Sequence, residues 1–286
     1  MSAAADRDAP EASDPRAALA RLGITPKRHF SQNFLLDRNL ARRIAELVAP
    51  EGAFVIEIGA GTGALTRPLL ERSRKVLAVE RDRDLVPVLR EELAESVAAG
   101  RLELVEADAK TFDYSSALTR EPAPRVVAGN LPYHLTGPLL ELLVGLSPLL
   151  ERAGALVQLE VAQRLAAAPS TADYGALSVF SQAAFRVTRP LVVRRGAFYP
   201  QPGVDSALVV LEPHPTPLAR ETPRFRALVK AAFSQRRKQL RNAWSRVLPA
   251  EALARAAAAS GIDLARRGET LSVAEFARMA AESEMP

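Results

Sequence analysis

From Phe54 onward the chain alternates short β-branched runs with amphipathic stretches, and few folds accommodate that rhythm. FVIEI (54–58) precedes GALTRPLLERS (63–73), and KVLAVE (75–80) precedes LVPVLREELAESVAA (85–99). LELVEA (102–107), RVVAGN (125–130), LTGPLLELLVGL (135–146) and ALVQLE (155–160) continue the series. A strand–helix–strand order of this kind predicts an α/β class fold, an open parallel sheet with helices on both faces. The strands are nearly continuous apolar runs, as strands covered on both sides should be.

After Glu160 the pattern changes. A short helix (161–168), a Ser/Thr/Ala loop and a second helix near 175–184 lead into FRVTRPLVVRR (185–195) and SALVVLEP (206–213), joined by GAFYPQPGVD (196–205). These two β-rich runs predict an antiparallel hairpin added to the parallel sheet. PHPTPLARETP (213–223) is punctuated by proline and reads as a linker. Beyond it every segment is helical: 224–247, then 250–260 ended by Gly261, then a last helix from about Ser272, where Ser-Val-Ala-Glu predicts a capping box. The expected organisation is therefore a flexible tail over 1–22, an α/β domain over 23–212 and a helical domain over 213–286. The tail assignment rests on a run of Ala, Asp, Pro and Ser with hardly an apolar anchor to offset ordering entropy.

Composition narrows the chemistry. There is no cysteine, which excludes disulfides, thiolate metal sites and a cysteine nucleophile. No apolar run approaches the roughly 18 residues of a spanning helix, and the N-terminus lacks the order of a signal peptide. A soluble, cytoplasmic chain without a membrane partner is expected. Charge is unevenly placed: 13 Lys plus Arg against seven Asp plus Glu from Pro213 onward, and 25 against 26 before it. Such asymmetry suggests a neutral catalytic body with a cationic appendage for a polyanion, nucleic acid first, although a solvated helix surface can carry the same excess.

The chemistry-bearing residues cluster at the predicted ends of strands. Glu57-Ile-Gly59-Ala-Gly61-Thr-Gly63 ends the first strand and opens a helix, where glycine lets a ligand lie against bare backbone. Glu80 ends the second strand, about 20 residues after the first glycine, where a carboxylate can accept both hydroxyls of a ribose. Alternatively it is a solvated carboxylate paired with Arg81 or Arg83. Asp108 follows the third strand and suits an adenine amino group, or equally caps the next turn. Asn130-Leu131-Pro132-Tyr133 follows the fourth strand. There a side-chain amide oxygen and a main-chain carbonyl held by proline can both accept from an exocyclic amine, and Tyr133 offers a face for a base to stack on; an Asn-led turn is the plain alternative. His29, His134 and His214 are isolated, and no two have metal-ligand spacing. No metal is expected.

Taken together, HFSQNFLLD, EIGAGTGALT, LAVERD, EADA, NLPYHLTGPLL and AFYPQPGVDSALV occur in an order that resembles the S-adenosylmethionine-dependent ribosomal RNA adenine N6-dimethyltransferases, most closely the small-subunit (KsgA/RsmA-like) branch. The match runs from about Thr25 to the last helix. The resemblance implies a Rossmann-like class I methyltransferase fold with a small helical C-terminal domain. It also implies dimethylation of two adjacent adenosines in a hairpin loop near the 3′ end of 16S rRNA, within the small ribosomal subunit, by a monomeric enzyme.

By the same resemblance Asn33 and Leu35 belong to a segment that closes over S-adenosylmethionine, Gly59 to the loop at its methionine end, Glu80 to the ribose and Asp108 to the adenine. Asn130, which also binds the cofactor, and Leu131 stand between cofactor and target base, and Phe198 sandwiches the flipped adenine against Tyr133. Read locally, Phe30 and Phe34 form an apolar face, Ser31-Gln32-Asn33 a cap, and Phe198 a core residue. Lys230, Arg236, Arg237, Lys238 and Arg241 concentrate positive charge at about helical spacing, suited to phosphate contacts. The sister branch acting on 23S rRNA, a ribosome-assembly factor whose methylation is secondary, and a DNA adenine methyltransferase are the competing readings. FYPQPGVDS and the long helical tail favour the first assignment over the 23S branch, and the absence of Asp-Pro-Pro-Tyr at 130–133 disfavours the DNA enzymes.

Overall fold

A computed structural model describes residues 15–21, 23–27, 32–234 and 237–284, apart from the side chains of Ala18 and His134. His29, Phe30, Ser31, Arg236 and residues 1–14 of the expected tail lie outside the described residues.

The apolar runs form a seven-stranded sheet. Its strands are β2 (Phe54–Ile58), β3 (Lys75–Glu80), β4 (Leu102–Glu106), β5 (Arg125–Asn130), β6 (Arg152–Gln158), β7 (Phe185–Val193) and β9 (Ser206–Pro213), in spatial order β4-β3-β2-β5-β6-β9-β7. Two short strands, β1 (Phe34–Leu35) and β8 (Phe198–Tyr199), pair separately and antiparallel. The first five strands of the sheet are parallel, while β9 runs antiparallel to both β6 and β7. The expected hairpin is therefore present, with its second strand inserted inside the sheet and its first at the edge.

Side-chain alternation explains why the strands look uniformly apolar. Phe54, Ile56 and Ile58 of β2 enter one core with Leu139 and Leu143 of α7 (Thr136–Leu146). Val55, between them, enters the opposite core with Ile44 of α2 (Arg38–Val48) and Leu69 of α3 (Thr66–Arg72). After β2 the chain winds outward through α4 (Leu85–Glu92), α5 (Ala94–Ala98) and β4, then returns through α6 (Tyr114–Thr119) to place β5 on the other side of β2. That reversal opens a crevice at the C-terminal ends of β2 and β5, the place where open sheets take ligands.

Two segments differ from expectation. Pro15–Arg21, inside the stretch read as a flexible tail, forms a helix, α1, whose Leu19 is buried with Phe34 and Leu85 and whose Arg21 pairs with Glu92 at 2.6 Å. One leucine meeting a tertiary pocket supplies the anchor that composition does not reveal. The long helix expected over 224–247 breaks into α10 (Pro223–Ser234) and α11 (Leu240–Trp244). Leu240 and Trp244 must both be buried, with the Trp244 indole donating to the Leu228 carbonyl at 2.9 Å, and a turn delivers them there.

The last helices, α12 (Ala250–Ser260) and α13 (Val273–Glu284), complete a third core. It includes Tyr174 and, from α9 (Ala176–Ala184), Val179 and Ala183, so the helical domain rests on the α/β body through shared packing rather than across a bare linker. The expected capping box forms: Glu275 N–H donates to Ser272 Oγ at 3.2 Å and Ser272 N–H to Glu275 Oε2 at 2.7 Å.

Candidate active site

One cavity collects Asn33, Phe34 and Leu35 of the N-terminal strap, the glycine loop after β2, Glu80 after β3, Asp108 after β4, and Asn130, Leu131 and Tyr133 after β5. Four of these five segments converge because the parallel strands that carry them end at the same edge of the sheet.

The glycine loop is held by the carboxylate beside it. Glu80 is buried, and its two oxygens accept the amides of Gly61 (2.9 Å) and Asp82 (2.8 Å). Burial raises its pKa, and those two amides partly offset the rise. Gly61 adopts φ +60°, and a Cβ there would sit 3.0 Å from the Phe34 ring, so the strap packs on this residue only because it is glycine. Arg81, one of the partners considered for Glu80, instead reaches Asp108 Oδ2 at 3.1 Å. Asp108 Oδ1 accepts the Lys110 amide at 2.9 Å, so Asp108 both caps its turn and faces the cavity.

Side-chain hydrogen bonds hold the strap at Asp82 and at Asn130. Asp82, 1% exposed, accepts Lys27 Nζ at 2.5 Å and Gln32 Nε2 at 2.8 Å. Burial opposes ionisation of Asp82, but these bonds outweigh it and hold the carboxyl below its usual range. At the second point Asn130 Nδ2 donates to the Asn33 carbonyl at 2.7 Å. A carbonyl can only accept, so the amide orientation is determined and Oδ1 is left as an acceptor. Pro132's carbonyl is engaged by the Leu135 amide at 2.9 Å. The Tyr133 hydroxyl meets Ser206 Oγ at 2.8 Å; burial raises its pKa, and the Ser206 contact opposes the rise.

Phe198 is not brought to this cavity. It is 3% exposed and packs in the core of α2, α3 and β9, because β8 pairs Leu35 with Phe198 and turns Tyr199, 38% exposed, the other way. The local reading as core holds in this conformation, and the expected sandwich with Tyr133 is absent from it. Of the basic run, Lys230 lies exposed on α10 and Arg241 on α11, while Arg237 and Lys238 are exposed on the turn between them rather than along a helix. His214 is hydrogen-bonded through Nε2 to the Gln182 carbonyl at 3.1 Å. Among the described residues no group of three or more His, Asp or Glu could hold a metal ion, and no helix is long and apolar enough to cross a membrane.

Sequence reasoning missed three contributors: Lys27 and Gln32, which hold the strap on Asp82, and Glu57, buried at the cavity wall. Only Glu57 had a local signal, a charge inside an otherwise apolar strand.

A model of the family described as ribosomal RNA adenine dimethylase matches residues 24–284. Ribosomal RNA small subunit methyltransferase A of Anaeromyxobacter sp. (strain K) is 46% identical over 277 residues, 93% of this chain and 96% of that protein. The protein of the same name from Geobacter metallireducens is 43% identical over 265 residues, 90% and 95% of the two chains. Among solved structures, the 23S rRNA methyltransferase ErmE is 28% identical with a TM-score of 0.67, covering 88% of this chain and 100% of its own. A dimethyladenosine transferase from Plasmodium falciparum, 23% identical with a TM-score of 0.72 over 86% of this chain and 95% of its own, shares the fold.

Proposed function

The chain belongs to the ribosomal RNA adenine dimethylase family, and from that premise we propose that it dimethylates N6 of two adjacent adenosines in the hairpin loop near the 3′ end of 16S rRNA. The reaction depends on S-adenosylmethionine and takes place on the small ribosomal subunit during biogenesis. The observation that carries the reading is the position of Asn130: its amide is oriented by the strap and it shares one cavity with the glycine loop, Glu80 and Asp108. Identity of 46% to a small-subunit enzyme, against 28% to a 23S enzyme, supports the small-subunit assignment over the resistance-type alternative.

The residues present suit the cofactor. Glu80, with its oxygens already aimed by two amides, can take the ribose hydroxyls; Asp108 can accept the adenine amine; Gly59 leaves room for the methionine end; Asn33 and Leu35 form the wall that closes over it. S-adenosylmethionine supplies an electrophilic sulfonium methyl, so the protein's task is alignment, a gain of proximity and orientation. Asn130 Oδ1 and the Leu131 carbonyl accept the two hydrogens of the target amine and draw its lone pair out of conjugation. Tyr133, fixed by Ser206, offers the stacking face. The methylated amine, acidic while cationic, loses its proton to water, and no side chain is assigned as base. A paired adenine cannot present N6 here, so the target is taken from a loop or flipped.

Lys230, Arg237, Lys238 and Arg241 on the helical domain are proposed to hold rRNA phosphates, with the enzyme acting as a cytoplasmic monomer. The test uses labelled S-adenosylmethionine with unmethylated 30S particles, naked 16S rRNA, 23S rRNA or duplex DNA, and locates label by mass spectrometry of nuclease fragments. Label confined to adjacent adenosines of 16S rRNA in 30S particles is expected; label in 23S rRNA or DNA overturns the assignment.

A further inference from the structure

The near-neutral sum over the α/β body hides a basic stretch. From Phe185 to Val204 the chain has four arginines, Arg186, Arg189, Arg194 and Arg195, and no Asp or Glu. Arg186 pairs with Glu212 at the far end of the sheet, and Arg189 is exposed midway along the edge strand. Arg194 and Arg195 reach the edge where the ligand-bearing strands end, because Val193 pairs with Ser206 and Ser206 with Gln158, the last residue of β6. Asp205 fixes both. Its Oδ2 accepts Arg194 Nη1 at 2.8 Å, its Oδ1 accepts the Arg195 amide at 2.9 Å, and its own carbonyl accepts the Leu159 amide at 3.0 Å. The next residue, Ser206, holds the Tyr133 hydroxyl. Both arginines are thus seated beside the group that fixes the stacking face, yet both stay exposed, the Arg194 side chain at 84%.

The same end of the β-hairpin exposes apolar groups. Among the described residues the exposed large hydrophobics are Val192, Tyr199, Val204 and Leu218, and the first three belong to the end of β7, to β8 and to the turn before Ser206. Tyr199 lies directly opposite Phe34, which lines the cavity. Opposed residues of an antiparallel pair share a face, so Tyr199 stands on the cavity's side of the β1 and β8 ladder while Phe198 turns into the core. An exposed aromatic ring flanked by guanidinium groups suits single-stranded nucleic acid, whose bases stack on the ring and whose phosphates meet the cations.

We propose that the β7 to β9 connection is a second RNA-binding surface, where Tyr199 stacks the nucleotide beside the adenosine held against Tyr133, and Arg194 and Arg195 hold the adjoining phosphates; this rests on the reading of the cavity as an adenosine N6-dimethyltransferase site. Two adjacent adenosines react at one Tyr133 face, so the loop enters in two registers, each leaving a different neighbour outside the pocket. A stacking platform accepts either neighbour, because every base has a π-face. The excess of arginine favours RNA over a protein partner at this surface. Together with the cations of the helical domain it gives the rRNA two points of attachment.

Equilibrium binding of the full chain to unmethylated 30S particles and to a naked RNA hairpin with two adjacent adenosines in its loop tests this, beside cofactor affinity and methyl transfer. Tyr199→Ala should weaken binding to both RNAs about tenfold, the scale of a lost stacking contact, with the Kd for S-adenosylmethionine unchanged; Tyr199→Phe should restore it. Transfer to the two adenosines should become unequal in Tyr199→Ala. Arg194→Gln combined with Arg195→Gln should reduce the slope of log affinity against log salt by about 1.4, as expected for two single-strand phosphate contacts. Wild-type affinity in Tyr199→Ala, an equal defect in Tyr199→Phe, or an unchanged salt slope in the double arginine variant overturns the proposal. Weaker binding to 30S particles with hairpin binding untouched assigns the surface to a protein of the particle and also overturns it. Should Tyr199→Ala weaken cofactor binding too, through its neighbour Phe34, the salt slope of the arginine variant decides. RNA binding by wild type without any methyl transfer refutes the assigned activity instead, and the binding comparison still decides the surface.

Discussion

Replacing Gly61 with alanine should loosen the strap and the cofactor site together. Gly61 sits at φ +60°, a conformation that costs an L-residue about 1–2 kcal/mol. The new Cβ would also lie 3.0 and 3.1 Å from two carbons of the Phe34 ring. Phe34 is buried with Leu19 and Leu85, so it has little room to yield, and overpacking of this kind costs about 1–3 kcal/mol. The sum, about 2–5 kcal/mol, should lower Tm by about 4–20 °C in a chain of this size. The backbone part falls on the loop regardless, whereas the collision part is relieved if the strap lifts away. Lifting removes the cavity wall at Phe34 and strains the Gly61–Glu80 bond, so cofactor affinity should fall by about tenfold or more, the equivalent of 1.4 kcal/mol. Thermal denaturation and calorimetric titration measure the two effects. A double-mutant cycle with Phe34→Ala separates them: Gly61→Ala should cost about 1–3 kcal/mol less in that background. Additive effects, or a Gly61→Ala protein with wild-type Tm and cofactor affinity, would refute the packing of strap on loop.

Asp82→Asn should reduce hydrogen-exchange protection of Gln32–Leu35 at pH 7, since it weakens the acceptor for Lys27 and Gln32. The Asp82 pKa is depressed by folding, so its contribution is present above the ordinary carboxylate range and disappears as pH falls through its lowered folded value; wild-type protection should follow that course. Glu275, where burial is outweighed by Arg266 and the Ser272 cap, has its pKa lowered to about 2. Its stabilisation of the helical domain, about 1–2 kcal/mol after allowance for partial exposure, should be full above about pH 4.5 and lost progressively as pH drops toward 2. Glu275→Gln should show that lower stability already at pH 7 in denaturant melts. Neutralising Arg237, Lys238 and Arg241 should weaken binding to small subunits and flatten its salt dependence by up to about three phosphate contacts, with cofactor affinity unchanged. Equal loss at every salt concentration would point to misfolding.

Much of the site was legible because strand period and turn chemistry are local. Gly59, Glu80, Asp108 and Asn130 each end a readable strand, and a parallel sheet must bring such ends to one edge. What stayed hidden depends on partners far along the chain. Asn33 and Asn130 are 97 residues apart, and nothing in either neighbourhood announces that a backbone carbonyl orients the amide. Lys27 and Gln32 find Asp82 across a gap of 50–55 residues. Phe198 read locally as core and only by resemblance as a stacking platform, because an aromatic in a two-residue strand has no period, and its pairing with Leu35 decides which side it faces. The basic run looked helical by spacing, yet burial of Leu240 and Trp244 turns the chain and leaves Arg237 and Lys238 on the turn.

The central claim is that Asn130 aligns the target amine, over and above its part in holding the cofactor. Single-turnover methyl transfer to unmethylated 30S particles, measured beside equilibrium cofactor binding for wild type and Asn130→Ala, tests it most directly. Loss of the acceptor should abolish transfer, a fall of at least about 10³-fold on the scale of a removed transition-state interaction, while cofactor Kd weakens by no more than about tenfold. Near-normal transfer by Asn130→Ala, or a loss of transfer fully accounted for by lost cofactor binding, would contradict it.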